Sequence, residues 1–227
     1  NSKIIKLPVG VNADTFSSPI RANWRTRPGR SARLLTVRRL TKRMGLLELV
    51  AAMSIVAQKI SSMHLTIVGE GLLRQDLQNA VVRWKLEKQV TLAGRVSAED
   101  LPRYYQAADL FVLPSQAYEG LGMATLEALA SGLPVVGTPL GATPEILRDL
   151  DPTLITAGIS AENLAQGILD YFARPEAERA ALGKKAQELA KKKYDWERAV
   201  EELEQVLDSI RKYEMVRKVR KLISYFS

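Results

Sequence analysis

The chain has 227 residues, a formal net charge of +8, 46% hydrophobic residues, no cysteine and one histidine. Disulfides and thiolate metal sites are therefore excluded, and His64 cannot build a metal site alone. Its length and apolar content fit one domain with a substantial core, and its longest apolar runs fall far short of the roughly 20 residues that span a membrane.

In chain order, strand-like runs are expected at 4–7 and, after a polar loop over 17–31, at 33–37. A helix-period segment follows at 45–58, a strand at 65–68, a helix at 72–84 and a strand at 90–93. Residues 98–107 read as a helix, 110–113 as an apolar strand closed by Pro114-Ser115, and 123–130 as a helix. Further strands are expected at 135–137 and 153–155, and beyond Pro175 come charged helices over about 176–192 and 196–226. Short buried strands alternating with amphipathic helices imply an α/β, Rossmann-like parallel sheet covered on both faces. Ligands bind such sheets outside the strands' carboxyl ends, where strand order reverses, and the glycine-bearing loops here all follow strands.

Charge is unevenly placed. Residues 1–43 carry eleven Lys or Arg against one acid, Asp14, and a second basic cluster spans 211–221. Such patches attract phosphates of any origin: nucleotides, nucleic acid or anionic lipid. No nucleic-acid motif or interleaved aromatic platform accompanies them, so no nucleic acid partner is expected. Val68-Gly69-Glu70-Gly71 begins like a dinucleotide fingerprint, but the sixth position is Arg74 and the strand is not the first, which argues against NAD.

The densest chemistry lies in Glu119-Gly120-Leu121-Gly122-Met123-Ala124-Thr125-Leu126-Glu127. The first glutamate falls on a loop after a strand, the second about one turn inside the next helix. Free amides at the helix start, those of Met123 and Ala124, favour a phosphate oxygen. One segment thus offers a phosphate seat flanked by two carboxylates able to hold hydroxyls. The segment resembles the E-x7-E signature of retaining GT-B glycosyltransferases, in particular family 4. Other stretches fall in the order of that family's motifs: Leu7-Pro-Val-Gly-Val-Asn12 with Phe16, Leu34-Leu-Thr-Val-Arg-Arg-Leu40 with Gly45, Ile67-Val-Gly-Glu-Gly71, Val90-Thr-Leu-Ala-Gly-Arg-Val96, Ala108 to Ser115, and Gly141-Ala-Thr-Pro-Glu145. The likeness runs from about residue 5 to about residue 200.

The resemblance implies a transferase that moves a sugar from a UDP-, GDP- or ADP-linked donor to an acceptor hydroxyl, without cofactor or obligatory metal. Bacterial envelope polysaccharide or lipopolysaccharide synthesis is the usual setting of such relatives. In that frame Arg39 and the start of the helix at Gly122, Met123 and Ala124 hold the diphosphate, with Arg43 or Lys42 as a second cation. Glu127 takes the ribose hydroxyls. Glu119 orients the donor sugar near the reacting face and is not thereby a nucleophile. The base lies against the backbone of Arg95 and Val96. Catalytic roles are expected of Glu119 and Arg39. Two departures stand out: Met44 replaces the family's lysine before Gly45, and Arg38 replaces a glycine. Gly10 is expected either to admit substrate or simply to form a turn.

The resemblance makes 1–200 a nucleotide-sugar-binding domain and 201–227 a basic amphipathic C-terminal helix. Because the first strand-like run matches the family's linker between halves, the expected object is the second half of a GT-B enzyme, its acceptor-binding N-terminal domain missing. The tail sets Met215, Val216, Val219, Leu222, Ile223 and Phe226 at helical spacing among basic residues, which suits packing on a neighbouring domain or lying on anionic lipid. The expected location is cytoplasmic, with the inner membrane face as an option. A non-catalytic nucleotide-sugar module and a basic nucleic-acid-binding domain are the alternative readings.

Overall fold

In the computed structural model the described residues are 9–17 and 31–223, the last twelve by backbone alone. The expected strand at 4–7, residues 18–30 of the expected polar loop and the apolar side chains of the tail from Met215 on lie outside them.

Five strands, β1 (Arg33–Val37), β2 (His64–Val68), β3 (Val90–Gly94), β4 (Leu110–Leu113) and β5 (Val135–Gly137), form one parallel sheet in the order β3-β2-β1-β4-β5. The chain steps outward from β1 to β3, then crosses back to lay β4 on the other side of β1. The order therefore reverses between β1 and β4, and the crevice opens at their carboxyl ends. All four residues of β4 are buried, as a central parallel strand covered on both faces requires.

The helices are α1 (Ala13–Phe16), α2 (Leu46–Lys59), α3 (Arg74–Arg83), α4 (Leu101–Ala107), α5 (Met123–Ala130), α6 (Thr143–Leu150), α7 (Ala161–Ala173), α8 (Glu176–Lys193) and α9 (Trp196–Ile223). α2 buries Leu46, Leu49, Val50, Met53 and Val56, the i, i+3, i+4, i+7 stripe of an amphipathic helix. It packs on α3 and α7, while α5 packs on α1 and α8 and α1 also meets α4, so helices cover the sheet in two layers. Each buried Leu, Ile or Val there contributes about 1.5–3 kcal/mol. The expected Rossmann-like parallel sheet is what forms.

Two local expectations are corrected. Residues 153–155 are no strand: Pro152–Leu154 is a 3-10 turn, and only a single bridge joins Ile155 to Gly137. Asp151 accepts the Thr153 amide at 2.9 Å, and Pro152 has no N–H to give a ladder, so a capped turn replaces it. α4 starts at Leu101 and not 98, because the Ser97 hydroxyl accepts the Asp100 amide at 3.1 Å in a turn and Pro102 suits the first helical turn.

The N-terminal segment is tied to the α8–α9 junction. Val11 N donates to Tyr194 O at 2.7 Å and Trp196 N to Val11 O at 3.1 Å. A Cβ on Gly10 would stand 2.4 Å from Trp196 Cα, so this glycine serves that close packing. Beyond the junction, Trp196, Val200, Leu203, Leu207 and Ile210 leave an exposed apolar stripe along α9 at alternating spacings of four and three. Among the described residues no helix is long and apolar enough to cross a membrane.

Candidate functional site

The loop from Pro114 to Gly122 leaves β4 at the crevice and is held from two sides. Gly45 has φ +69°, and a Cβ there would lie 1.7 Å from Pro114 O; Gly141, φ +58°, would put one 2.0 Å from Glu119 O. Only glycine permits both approaches. Arg43 donates from Nη1 to Tyr118 O at 2.9 Å, Gln116 N donates to Arg43 O at 2.9 Å, and Ala142 N donates to Gly120 O at 3.2 Å. Tyr118 itself takes φ +50° and is 88% exposed, an aromatic ring standing free at the crevice mouth. The loop is fixed, and Glu119 is fixed with it.

α5 opens at Gly122, whose φ of +73° is left-handed, with no side chain capping the helix. The amides of Met123 and Ala124 have no partner among the described residues, while Thr125 N returns to Gly122 O at 2.7 Å. Thr125 is buried, its hydroxyl without a partner among the described residues. The helix ends in a Schellman motif: Leu133 N donates to Ala128 O at 2.8 Å and Gly132 N to Leu129 O at 2.7 Å. Leu126, Ala128 and Leu129 face the core, which leaves Glu127 on the other side.

The two glutamates have different surroundings. Glu127 accepts a hydrogen bond from the Tyr105 hydroxyl at 2.6 Å. Tyr105 is wholly buried between Phe16, edge-on at 5.6 Å, and Phe111, stacked at 5.7 Å. Burial raises the Glu127 carboxyl above the ordinary glutamate range, and the tyrosine bond partly opposes it. Burial, then the Glu127 charge, lifts the Tyr105 phenol well above its usual value; the charge of Arg38 pulls the other way. Glu119, by contrast, is paired through Oε2 with the Arg38 guanidinium and the Ser115 hydroxyl.

Arg38 is the residue that the sequence reading noted only as a lost glycine. It is 8% exposed, and its Nη2 touches Met44 Sδ and donates to Ser115 Oγ at 2.9 Å as well as to Glu119. β1 is buried on both faces, Leu34, Leu35 and Thr36 alike, so its pattern carries no signal for the next residue; Arg38 shares the side of Leu34 and Thr36. Arg39 falls on the other side, exposed, with no side-chain partner among the described residues. The crevice thus joins Arg38, Met44, Ser115, Glu119 and Gly122. Arg43 reaches it through the Tyr118 carbonyl, and Glu127 adjoins it through Tyr105.

Val96 lies elsewhere on the rim. A cavity of about 400 Å³ past β3 is lined by Ala93, Arg95, Val96, Ser97, Asp100, Arg103 and Tyr104. Arg103 pairs there with Asp100 at 3.0 Å on an exposed surface. Among the described residues, no three His, Asp or Glu side chains gather as a metal site would need.

A family model described as glycosyl transferases group 1 matches residues 22–189. The GDP-mannose-dependent alpha-(1-6)-phosphatidylinositol monomannoside mannosyltransferase of Mycobacterium tuberculosis is 28% identical over 202 residues, covering 84% of this chain and 52% of that protein. The chain thus spans about half the length of the curated relatives it matches. Of solved structures, the sucrose-phosphate synthase of Thermosynechococcus elongatus superposes with a TM-score of 0.78 at 28% identity, over 91% of this chain and 52% of the other. The C-terminal domain of LpcC, a glycosyl transferase group 1 family protein of Francisella tularensis, gives 0.70 at 25% identity, over 82% of this chain and 99% of that domain.

Proposed function

The chain belongs to the group 1 glycosyl transferases, and we propose that it is the nucleotide-sugar-binding, C-terminal half of a retaining family 4 enzyme of the GT-B type. The observation that carries this reading is the β1–β4 crevice: two glutamates, one on each side of an uncapped helix start, at the point where strand order reverses. The nucleotide-sugar dependence of the mycobacterial relative supports it, as does the near-complete overlap with the LpcC C-terminal domain.

In this reading the diphosphate rests on the amides of Met123 and Ala124, where hydrogen bonds and the helix dipole favour anions. Glu127 accepts both ribose hydroxyls, since a carboxylate supplies two acceptor oxygens to a vicinal diol. Glu119 orients a donor-sugar hydroxyl and stabilises cationic character at the reacting carbon. Arg39, exposed beside the crevice, and Arg43 meet the phosphates from outside. The base occupies the cavity past β3, against Arg95 and Val96. No resident cofactor enters this scheme.

The acceptor comes on the other half of the enzyme, against which the exposed stripe of α9 packs. Closure between halves excludes water and completes the site, so this half alone turns over little. The enzyme works in the cytoplasm, with the basic tail available to an anionic membrane face. A non-catalytic nucleotide-sugar module is the second reading, favoured by Met44 and by the side chain of Arg38 filling the crevice.

A thermal-shift panel of UDP, GDP, ADP and their sugars tests the donor site: stabilisation by one base is expected, and none by any contradicts it. Sugar transfer or donor hydrolysis by the full-length protein, lost in Glu119→Ala, eliminates the non-catalytic module.

A further inference from the structure

A guanidinium carries five N–H donors in a fixed fork and is charged at any physiological pH. Among the described residues one Arg38 nitrogen, Nη2, makes every hydrogen bond: to the Met44 thioether, the Ser115 hydroxyl and one oxygen of Glu119. Among the described residues Nε has no acceptor, and the side chain is only 6% exposed. A buried cation with unused donors is costly unless an oxygen-rich partner completes it. Glu119 meets it through one oxygen, Oε2, which also accepts from Ser115, and does not reach Nε. Its other oxygen, Oε1, stands 3.5 Å from where a Cβ on Gly122 would be, beside the open start of α5. One carboxylate thus lies between a buried cation and a helix N-terminus, the two features that together suit a diphosphate.

We propose that Arg38 is the cation that receives the donor's diphosphate in this chain, and that in the empty site Glu119 holds the place of that anion. Position 44 offers a thioether and no charge, Arg43 is tied by Nη1 to the Tyr118 carbonyl and meets the phosphates only from outside, and Arg38 occupies the space against Met44 Sδ. A diphosphate takes Arg38 in a bidentate grip, using Nε and the Nη atoms, and Glu119 exchanges its cation for a sugar hydroxyl. No covalent bond changes; two anions compete for one guanidinium. This inference rests on the donor-site reading and assigns its charge to a residue outside the expected set.

The test is calorimetric titration of the full-length protein with UDP, GDP and ADP, and with uridine, guanosine and adenosine, the base that binds being used for the variants. Arg38→Ala is expected to weaken the nucleoside diphosphate about ten-fold or more, the worth of a charge-assisted hydrogen bond, while leaving the nucleoside unchanged. Arg38→Lys retains part of that affinity. Glu119→Gln, which removes the competing charge, is expected to bind the nucleoside diphosphate several-fold more tightly than wild type. Wild-type affinity in Arg38→Ala, or no gain in Glu119→Gln, overturns the assignment of Arg38 alone. If Arg38→Ala fails to fold, Arg38→Lys and Glu119→Gln still decide. No binding of any of the six by wild type overturns the donor-site reading itself, and this inference with it.

Discussion

The β1–β4 crevice and the cavity past β3 lie on the same rim of the sheet but are built from opposite materials. In the crevice the polar side chains are buried or half-buried and held by named partners: Glu119 with Arg38 and Ser115, Glu127 with Tyr105. Its loop is clamped by backbone approaches that only Gly45 and Gly141 allow. Past β3, Arg95, Ser97, Asp100 and Arg103 are exposed, and the Asp100–Arg103 pair is a surface one. Low exposure makes each crevice interaction strong and each unpaired group costly; solvent screens those of the cavity. The difference teaches where specificity resides. On the proposed reading, charge and hydroxyl placement is set rigidly, whereas the base meets a surface that a few substitutions can retune.

The sharpest way to break the contrast is to remove one charge from the crevice. Glu119→Ala leaves Arg38 buried and unpaired, and is expected to cost about 3–5 kcal/mol of stability, read as a large fall in Tm. Transfer by the full-length protein is expected to fall at least about 100-fold. Adding Arg38→Ala is expected to return part of the lost stability without returning transfer, since no lone charge remains. Equal instability of the single and double variants would deny that the pair is coupled.

Next come the clamps. Gly45→Ala drives a Cβ into the Pro114 carbonyl from a left-handed φ, and about 1–3 kcal/mol of stability is expected to be lost in chemical denaturation. A neutral substitution would mean that the loop yields.

Tyr105→Phe removes one buried donor and is expected to weaken nucleotide binding by about 1 kcal/mol. It also moves a titration. Burial raises Glu127, so the folded state holds that proton more tightly than the unfolded one. Stability from this group therefore falls as pH rises from the ordinary glutamate range through the raised value, and nucleotide binding, if Glu127 holds the ribose as proposed, is expected to strengthen over the same window. Because the Tyr105 bond lowers the Glu127 pKa, Tyr105→Phe is expected to shift the midpoint to higher pH in titrations of nucleoside diphosphate affinity. An unmoved midpoint would detach Glu127 from binding.

The smallest effect belongs to the cavity. Asp100→Ala breaks an exposed pair and is expected to change stability by less than about 0.5 kcal/mol, with Tm nearly unchanged. A large loss would erase the distinction between the two regions.

Much of this architecture is legible from pattern. Apolar runs such as Leu110–Leu113 are strands wherever helices flank them, and Gly122 before Met-Ala-Thr-Leu-Glu marks an opened helix. The 3-10 turn at Pro152–Leu154 escaped because Thr153 to Ile155 has strand propensity, which Asp151 and Pro152 override locally. In the site, the eight-residue spacing of Glu119 and Glu127 brought both to the crevice. What the pattern could not show was the direction of the side chain after β1: Arg38 and Arg39 are chemically identical, and only the pleat sends one inward. Tyr105 was hidden for another reason, since its partner lies 22 residues away and meets it only through tertiary packing.

The most direct measurement is a crystal structure of the full-length protein bound to the nucleoside diphosphate it prefers. The account predicts a pyrophosphate between the Arg38 guanidinium and the amides of Met123 and Ala124, with ribose hydroxyls on Glu127. A nucleotide bound elsewhere, with the Arg38–Glu119 pair intact beside an empty α5 start, would contradict it.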